Sequence, residues 1–437
     1  MKWTLEEVAK ITNGTATGAA DIDSVTTDSR AVPTGGLFVA IKGEHFDGHD
    51  FVDAALAEGA SAVLVSAAVA GEPRVQVSDT LVGLRLLAAD RRQALSTARS
   101  VGITGSTGKT SCKDLLASAL GVGTWASPRS FNNEVGVPMT VLGAPDKTEV
   151  LVLEVGSRGI GHITELMDVV RPDVAVITSV SASHLATLGD VDTVRRAKWE
   201  LVEGLSPDGV AVLPSADPTL LAWAKRDGQT MTSFGTDGDV QVANLRLDDL
   251  ARPTFTLRAD GDEVGVRLPM AGAHQAMNAA AATAAGLALG RALPDLAAGL
   301  ELAQASAWRM EISSGAHTVV NDAYNANPAS MAAALEATVA IPGRPIAVLG
   351  LMAELGEAAP AAHRAVGEQA RQLGFAAVIV VGEDPGIADG AGDLAHPVAD
   401  VAAARRKIDE LVLDGDVVLV KASREVGLEA LAKELVA

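Results

Sequence analysis

A single cysteine in 437 residues excludes an intrachain disulfide and a cysteine-rich zinc site. That residue, Cys112, stands just inside a helical pattern, where a small packed side chain is the expectation over a reactive thiol. Aromatic residues make up 3% of the chain, with one tyrosine, Tyr324. Cations are outnumbered: 35 Lys and Arg against 55 Asp and Glu leave a formal charge of −20. A chain so acidic rarely offers the clustered cations that neutralise nucleic-acid phosphates, so no nucleic-acid partner is expected, although a local basic pocket is compatible with it. No apolar run reaches the roughly 18 residues needed to span a bilayer, the Ala-rich stretch 279–289 included. The start, Met1-Lys-Trp-Thr-Leu-Glu-Glu7, lacks the apolar centre of a signal peptide. The expectation is a cytoplasmic enzyme without stable membrane insertion.

What is present is a chain for two to four domains, on a prior of roughly 100–200 residues each. Hydrophobic residues at 48% and charged residues at 21% predict folding throughout. The stretch Gly102-Ile-Thr-Gly-Ser-Thr-Gly-Lys-Thr-Ser111 reads as a phosphate-binding loop between strand and helix. Gly105, Ser106, Thr107, Gly108, Lys109, Thr110 and Ser111 would line it: glycines let backbone N–H groups approach phosphate, Lys109 reaches the terminal phosphates, and the Thr110 hydroxyl is a Mg²⁺ ligand. Ile103 stands where the general pattern has its first glycine, so the loop is a variant.

The first 80 or so residues alternate strand and helix signals, with strands at 37–41, 62–65 and 74–77 and a helix over 50–58: a small α/β unit. Two polar clusters interrupt it, Thr27-Asp-Ser-Arg30 and Lys42-Gly-Glu-His-Phe-Asp-Gly-His49, readable as ligand loops or as solvated turns. Continuous apolar runs at 150–155, 174–178 and 209–213, alternating with helices, imply a parallel sheet covered on both faces, with ligands beyond the strand carboxyl ends. Glu154 lies at one such end. A carboxylate within an apolar run needs a metal or hydrogen bonds, and Mg²⁺ is the expected partner. His184 follows another strand, and Lys198 reads as part of a solvated helix face. Runs at 241–245, 254–257 and 264–268 predict an edge meander. A long Ala-rich helix opens near Ala271, with His274 and Asn278 on one face, explained by packing or by nucleotide contact alike. A last unit from about Trp308 has strands at 346–349, 377–381 and 417–420, a doubly wound pattern, and Asp322 at a strand end entering the turn that holds Tyr324.

Taken together, Asp28-Ser-Arg30, Leu37-Phe-Val-Ala-Ile-Lys-Gly-Glu44, Phe46-Asp-Gly-His49, Thr104-Gly-Ser-Thr-Gly-Lys-Thr110, Asn132-Asn-Glu-Val-Gly-Val-Pro138, Leu153-Glu-Val-Gly156, His184-Leu185, Ala197-Lys198, Asp322-Ala-Tyr-Asn-Ala-Asn-Pro328, Glu354-Leu-Gly356 and Lys421-Ala-Ser-Arg424 resemble the ATP-dependent Mur ligases. The likeness spans essentially the whole chain, and Tyr-Asn-Ala-Asn-Pro is its most discriminating part. It also accounts for the loop, since this family similarly carries Thr-Gly-x-x-Gly-Lys-[Thr/Ser].

The resemblance implies three α/β domains: 1–82 for a UDP-muramoyl substrate, 83–305 as a central P-loop ATPase, and a Rossmann-like 306–437 closing over ATP and carrying a dipeptide. The implied activity is ADP-forming addition of D-alanyl-D-alanine to UDP-N-acetylmuramoyl-tripeptide through an acyl phosphate, by a monomer. It implies that Lys109 steadies the transferring phosphoryl group, that Thr110 and Glu154 hold one Mg²⁺ and His184 helps hold a second, and that Lys198 is carbamylated into an anionic metal ligand. His274, Asn278, Arg309 and Asp322 would meet the nucleotide. Ser29, Arg30, Asp47, Gly48, His49, Asn133, Tyr324, Asn325 and Asn327 would meet the other substrates.

Three positions depart from the family pattern: Trp308 where glycine precedes the arginine, Leu351 for the Asp of Gly-Asp-Met, and Ala422 for the glycine of Lys-Gly-Ser. The alternatives are another Mur ligase or a folylpolyglutamate-synthase-like ligase, and a nucleotide-binding regulatory protein without ligase activity. The Tyr-Asn turn and the Phe-Asp-Gly-His cluster speak against the first two, the full set of ligand residues against the third.

Overall fold

The computed structural model describes residues 2–43, 46–181 and 185–436, with 185 and 186 described by backbone alone. Two compact units divide the chain. The first comprises residues 1–102, 122–156 and 162–173, the second 103–121, 157–161 and 174–437. The crossing falls inside the strand Arg99–Thr104 that feeds the glycine-rich loop.

In the first unit a five-stranded sheet runs in the order Thr15–Thr17, Arg74–Gln76, Ala62–Val65, Gly36–Val39, Ser24–Thr26. Thr15–Thr17 is an antiparallel edge and the rest are parallel. The parallel strands at its centre are buried along their whole length, as the apolar runs require. The helix expected over 50–58 is a 3₁₀ turn, Gly48–Phe51, running into the helix Val52–Ala57. Asp79 starts the helix Thr80–Ala94 by accepting from Leu81 N–H at 2.7 Å and Val82 N–H at 3.1 Å. The same unit pairs Val150–Glu154 in parallel with Thr124–Ala126, a short strand with little apolar signal of its own.

In the second unit the strands Val174–Ile177, Val210–Pro214, Met231–Gly235 and Val240–Leu247 follow in parallel, and Pro253–Ala259 and Asp262–Arg267 complete the predicted antiparallel edge meander. The Ala-rich helix begins at Gln275, not near Ala271: Gly272 at φ +105° breaks the helical course ahead of it. Helix Leu293–Leu300 passes so near Lys109–Leu120 that a Cβ on Gly299 would fall 2.5 Å from Ala119 Cα.

A second sheet in this unit has the order Glu311–Ser314, Thr318–Asn321, Val417–Lys421, Pro345–Gly350, Ala377–Val381, Ala395–Val398, parallel except for the first pair. Its strands alternate their side chains between two cores: Val417 and Leu419 pack with Met331 and Leu335, whereas Val418 and Val420 pack with Leu428 and Leu431. That two-sided burial is what a doubly wound sheet demands.

Candidate functional site

The glycine-rich loop takes the course its composition predicts. Gly105 at φ +150° and Gly108 at φ +81° carry the turn, and Lys109 opens the helix Lys109–Leu120. Both glycines are also forced by close neighbours: a Cβ would lie 2.0 Å from Thr178 Oγ1 at Gly105 and 2.3 Å from Asn278 Oδ1 at Gly108. The loop is braced by the segment after strand Val174–Ile177. Thr178 Oγ donates to Thr107 O at 2.6 Å, and Thr107 N–H donates to Ser179 Oγ at 3.0 Å. Ser106 Oγ donates to Ser181 O, and Ser181 N–H donates to Ser106 Oγ, both at 3.0 Å. Lys109 Nζ rests on Gly105 O at 2.7 Å. Thr110 and Ser111 are buried in the first helical turn. A helix N-terminus preceded by a glycine-rich turn favours an anion, through its free backbone N–H groups and the helix dipole.

Lys198 corrects an expectation. Placed by helix Val191–Glu203, it is 1% exposed, not on a solvated face. Burial, and then the charge of Lys109, bring its pKa down to about 7. Asn278, on the first turns of helix Gln275–Ala288, donates to Gln275 Oε1 at 2.9 Å and abuts Gly108, which joins it to the loop. His274 stands at the N-cap position of the same helix without a side-chain capping bond. Burial lowers its pKa, with Asp322 opposing and Lys421 adding to the fall.

Asp322 directly follows strand Thr318–Asn321, beside Lys421, which is buried and ends the neighbouring strand Val417–Lys421. Lys421 Nζ donates to the Asp322 carboxylate and to Asn325 O at 2.9 Å, and Met310 N–H donates to Asp322 Oδ1 at 3.1 Å. The Arg309 guanidinium lies 4.2 Å from the centre of the Tyr324 ring. Asn327 is spent locally: it accepts from Ser330 N–H at 2.9 Å in a capping box for helix Pro328–Val339. Asn325 Oδ1 accepts from Ala326 N–H at 2.8 Å. Of the departures from the family pattern, Ala422 is buried without left-handed backbone, Leu351 O accepts from Ser423 N–H at 2.9 Å, and Trp308 takes φ +60°.

Glu154 belongs to the first unit, at the carboxyl end of strand Val150–Glu154 and fully buried. Asn132 Nδ2 donates to its Oε1 at 2.7 Å, its N–H donates to Ser127 Oγ at 3.0 Å, and Oε2 has no hydrogen-bond partner among the described residues. A buried carboxylate oxygen left over in this way suits a hard cation such as Mg²⁺. Sequence reasoning chose Asn133, whose Oδ1 instead accepts from Gly136 N–H at 2.8 Å to start helix Gly136–Leu142. It passed over Asn132, although both stand in the same Asn-Asn-Glu signature. Among the described residues no cluster of three or more His, Cys, Asp or Glu is poised for a metal, and His184 lies outside the described residues.

Also in the first unit, Arg30 Nε and its terminal nitrogen each donate to Asp28 at 2.8 Å, and Arg30's hydrogen bonds hold the Asp28 carboxyl at about 2. Ser29 sits half-exposed between them. His49 Nε2 accepts from Ser66 N–H at 2.9 Å, so Nδ1 carries the proton and donates to Asp47 Oδ1 at 2.6 Å. Gly48 passes so close to the backbone that a Cβ would lie 2.6 Å from Ile41 N.

Three family descriptions match the chain: Mur ligase family, catalytic domain, over residues 21–102; Mur ligase middle domain over 103–286; and Mur ligase, glutamate ligase domain, over 308–424. The UDP-N-acetylmuramoyl-tripeptide--D-alanyl-D-alanine ligase of Mycobacterium bovis is 37% identical, covering 99% of this chain and 98% of its own. The enzyme of the same name from Escherichia coli is 35% identical with the same coverage. The crystal structure of MurF from Acinetobacter baumannii superimposes with a TM-score of 0.92 at 31% identity, over 100% of this chain and 99% of that one. MurF from Thermotoga maritima, in complex with ADP, gives 0.83 at 29% identity, over 94% and 96%. A folylpolyglutamate synthase of Mycobacterium tuberculosis, at 20% identity and a TM-score of 0.66, shares the fold alone. With three family domains in order along it and named relatives matched over nearly their full length, the chain belongs to the Mur ligase family.

Proposed function

We propose that this chain joins D-alanyl-D-alanine to UDP-N-acetylmuramoyl-tripeptide, with ATP converted to ADP and phosphate. The observation that carries the reading is the full-length likeness to ligases of that name, in a chain whose glycine-rich loop leads into the N-terminus of helix Lys109–Leu120. Residues 1–82 hold the UDP-muramoyl substrate, 83–305 the ATP, and 306–437 close over the nucleotide and carry the dipeptide. The protein works as a monomer in the cytoplasm.

The chemical difficulty is the approach of a carboxylate to a polyphosphate of the same sign. A terminal oxygen of the tripeptide carboxylate attacks the γ-phosphorus, the bond to the β–γ bridging oxygen breaks, and ADP leaves. The dipeptide amine then attacks the acyl carbon, a tetrahedral intermediate collapses with loss of phosphate, and the amine gives up a proton. Backbone N–H groups of residues 105–111 orient the phosphates. Lys109, released from Gly105 O, follows the charge on the transferring group. Arg309 and Asp322 meet the nucleotide, as do His274 and Asn278, the latter toward adenine. Ser29, Arg30, Asp47, Gly48, His49, Asn133, Tyr324, Asn325 and Asn327 serve the other two substrates.

Bound Mg²⁺ supplies further neutralisation of the phosphate charge. Thr110, Glu154, His184 and Lys198 are its proposed ligands, for two ions. An ammonium cannot ligate a cation, but Lys198 is buried and its pKa is brought to about 7, so the neutral amine that adds CO₂ is well populated near neutrality. Addition of CO₂ to that amine releases one N–H proton to solvent, and the carbamate so formed is an anionic oxygen donor.

The deciding experiment measures ADP release with ATP, Mg²⁺ and UDP-N-acetylmuramoyl-tripeptide, with the dipeptide present or withheld, while the product is followed by mass. Dipeptide-dependent release with formation of the pentapeptide is expected. ATP binding without product under any of these conditions would overturn the assignment.

A further inference from the structure

Arg309 lies between two residues of unusual backbone. Trp308 has φ +60° and Met310 φ +51°, so the chain enters the left-handed region twice in three residues without a glycine. Such a course persists only where the surroundings over-determine it. Here Trp308 N–H donates to Glu311 Oε2 at 3.2 Å, Tyr324 N–H donates to Trp308 O at 3.2 Å, and Met310 N–H donates to Asp322 Oδ1 at 3.1 Å. Two ring contacts complete the set. The Arg424 guanidinium sits 4.3 Å from the centre of the Trp308 ring, and Arg309 sits 4.2 Å from that of Tyr324. Consecutive residues thus engage in opposite senses: position 308 offers a ring to a cation, and position 309 offers a cation to a ring. Arg424 is steadied on its other edge by Glu429, at 3.1 Å.

We propose that Trp308 is a positioning residue for Arg309: its stack on Arg424 holds residues 308–310 in the left-handed course that delivers the Arg309 guanidinium onto Tyr324, ready for the nucleotide. The proposal rests on the reading of Arg309 as a nucleotide contact. A glycine at 308 adopts the same φ without strain but has no ring with which to hold it, so the cation–aromatic stack does here what conformational freedom alone does not. Tyr324 is drawn in through the same backbone, because its N–H is bound by Trp308 O.

The test uses the full chain and steady-state kinetics in ATP, with thermal melts run alongside. Trp308→Gly and Arg424→Met are each expected to raise KM for ATP about fivefold, the scale of one lost cation–aromatic contact, with kcat within about twofold. The double variant is expected to raise it no further, because both changes remove one interaction. Trp308→Phe, which keeps a ring, is expected to restore most of the affinity. Arg309→Met separates the proposal from the reading beneath it. If Arg309→Met raises KM for ATP while Trp308→Gly and Arg424→Met lower only the melting temperature, Trp308 is a structural filler and the proposal falls. If Arg309→Met leaves KM unchanged, the nucleotide role of Arg309 falls and the proposal with it. Should Trp308→Gly not fold, Arg424→Met, which leaves the 308–310 backbone sequence intact, decides alone.

Discussion

At Lys198 the direction of a single pKa shift separates structure from chemistry. Folding holds the amine neutral down to about pH 7, whereas in the unfolded chain it stays protonated to about 10.4. Between those values the unfolded state binds more protons, so an unmodified Lys198 makes stability rise with pH through that window, and its full penalty is present below pH 7. Carbamylation draws on the same neutral amine. At a fixed concentration of dissolved CO₂, enzyme stripped of CO₂ is therefore expected to regain activity faster at pH 8 than at pH 6; recovery independent of pH under that condition would argue against carbamate formation. Lys198→Ala is expected to lose activity by at least about 100-fold, with partial rescue by short carboxylic acids, and unchanged turnover would remove the residue from the mechanism. Glu154 makes a second case. Asn132→Ala leaves both of its buried oxygens without the hydrogen bonds described, which should cost roughly 1–3 kcal/mol of stability in the absence of Mg²⁺. Urea unfolding with and without Mg²⁺ checks this: a cation bound to Glu154 recovers part of the loss, and a loss indifferent to Mg²⁺ would refute the metal role.

Elements, more than residues, fix where the loop can stand. The turn before helix Lys109–Leu120 is pressed from one side by Thr178 and from another by Asn278 on helix Gln275–Ala288. Gly108→Ala therefore meets two obstacles, left-handed backbone and a Cβ 2.3 Å from Asn278 Oδ1, and should destabilise by about 1–3 kcal/mol. Adding Asn278→Ala removes the clash and leaves the backbone strain, so the urea midpoint should recover only in part. A Gly108→Ala protein as stable as its parent would mean that the loop and helix do not meet in this way. Elements of this kind were legible wherever burial imposed a period. Ala377–Val381 was readable residue for residue, and the edge meander in type and order, because continuous apolar runs and alternating ones leave little choice. Thr124–Ala126 and Glu311–Ser314 were not, being short strands held by pairing with a neighbour. The loop itself was legible from its glycines and the Lys109-Thr110 pair that follows them, although Ile103 breaks the general spacing. The burial of Lys198 was not, since Arg195-Arg196 and Glu200 surround it in sequence with polar neighbours and only the packed helix shows which face points inward. Asn132 was hidden for a related reason: two adjacent asparagines look alike until one is seen to bind a carboxylate and the other to accept from the backbone N–H of Gly136.

For the molecule as a whole, charge is the dominant fact. A net −20 faces substrates that are themselves anions, ATP and a UDP-linked peptide, so the long-range field opposes their approach, and the proposed contacts of the loop amides and Lys109 act only at short range. Raising monovalent salt from about 0.01 M to 0.1 M shortens the Debye length from about 30 Å to about 10 Å, which screens the distant repulsion far more than contacts inside a buried site. With free Mg²⁺ held constant, kcat/KM for the UDP-linked substrate is expected to rise about two- to threefold over that range. A protein that steers anions through a basic surface shows the opposite, a steep fall, because screening then removes an attraction. The sign of the salt dependence thus reports whether recognition begins at a distance or only at the loop. A fall would mean that a local cationic funnel outweighs the twenty excess negative charges, and Arg30, exposed in the first unit beside Asp28, would be the first side chain to neutralise in search of it.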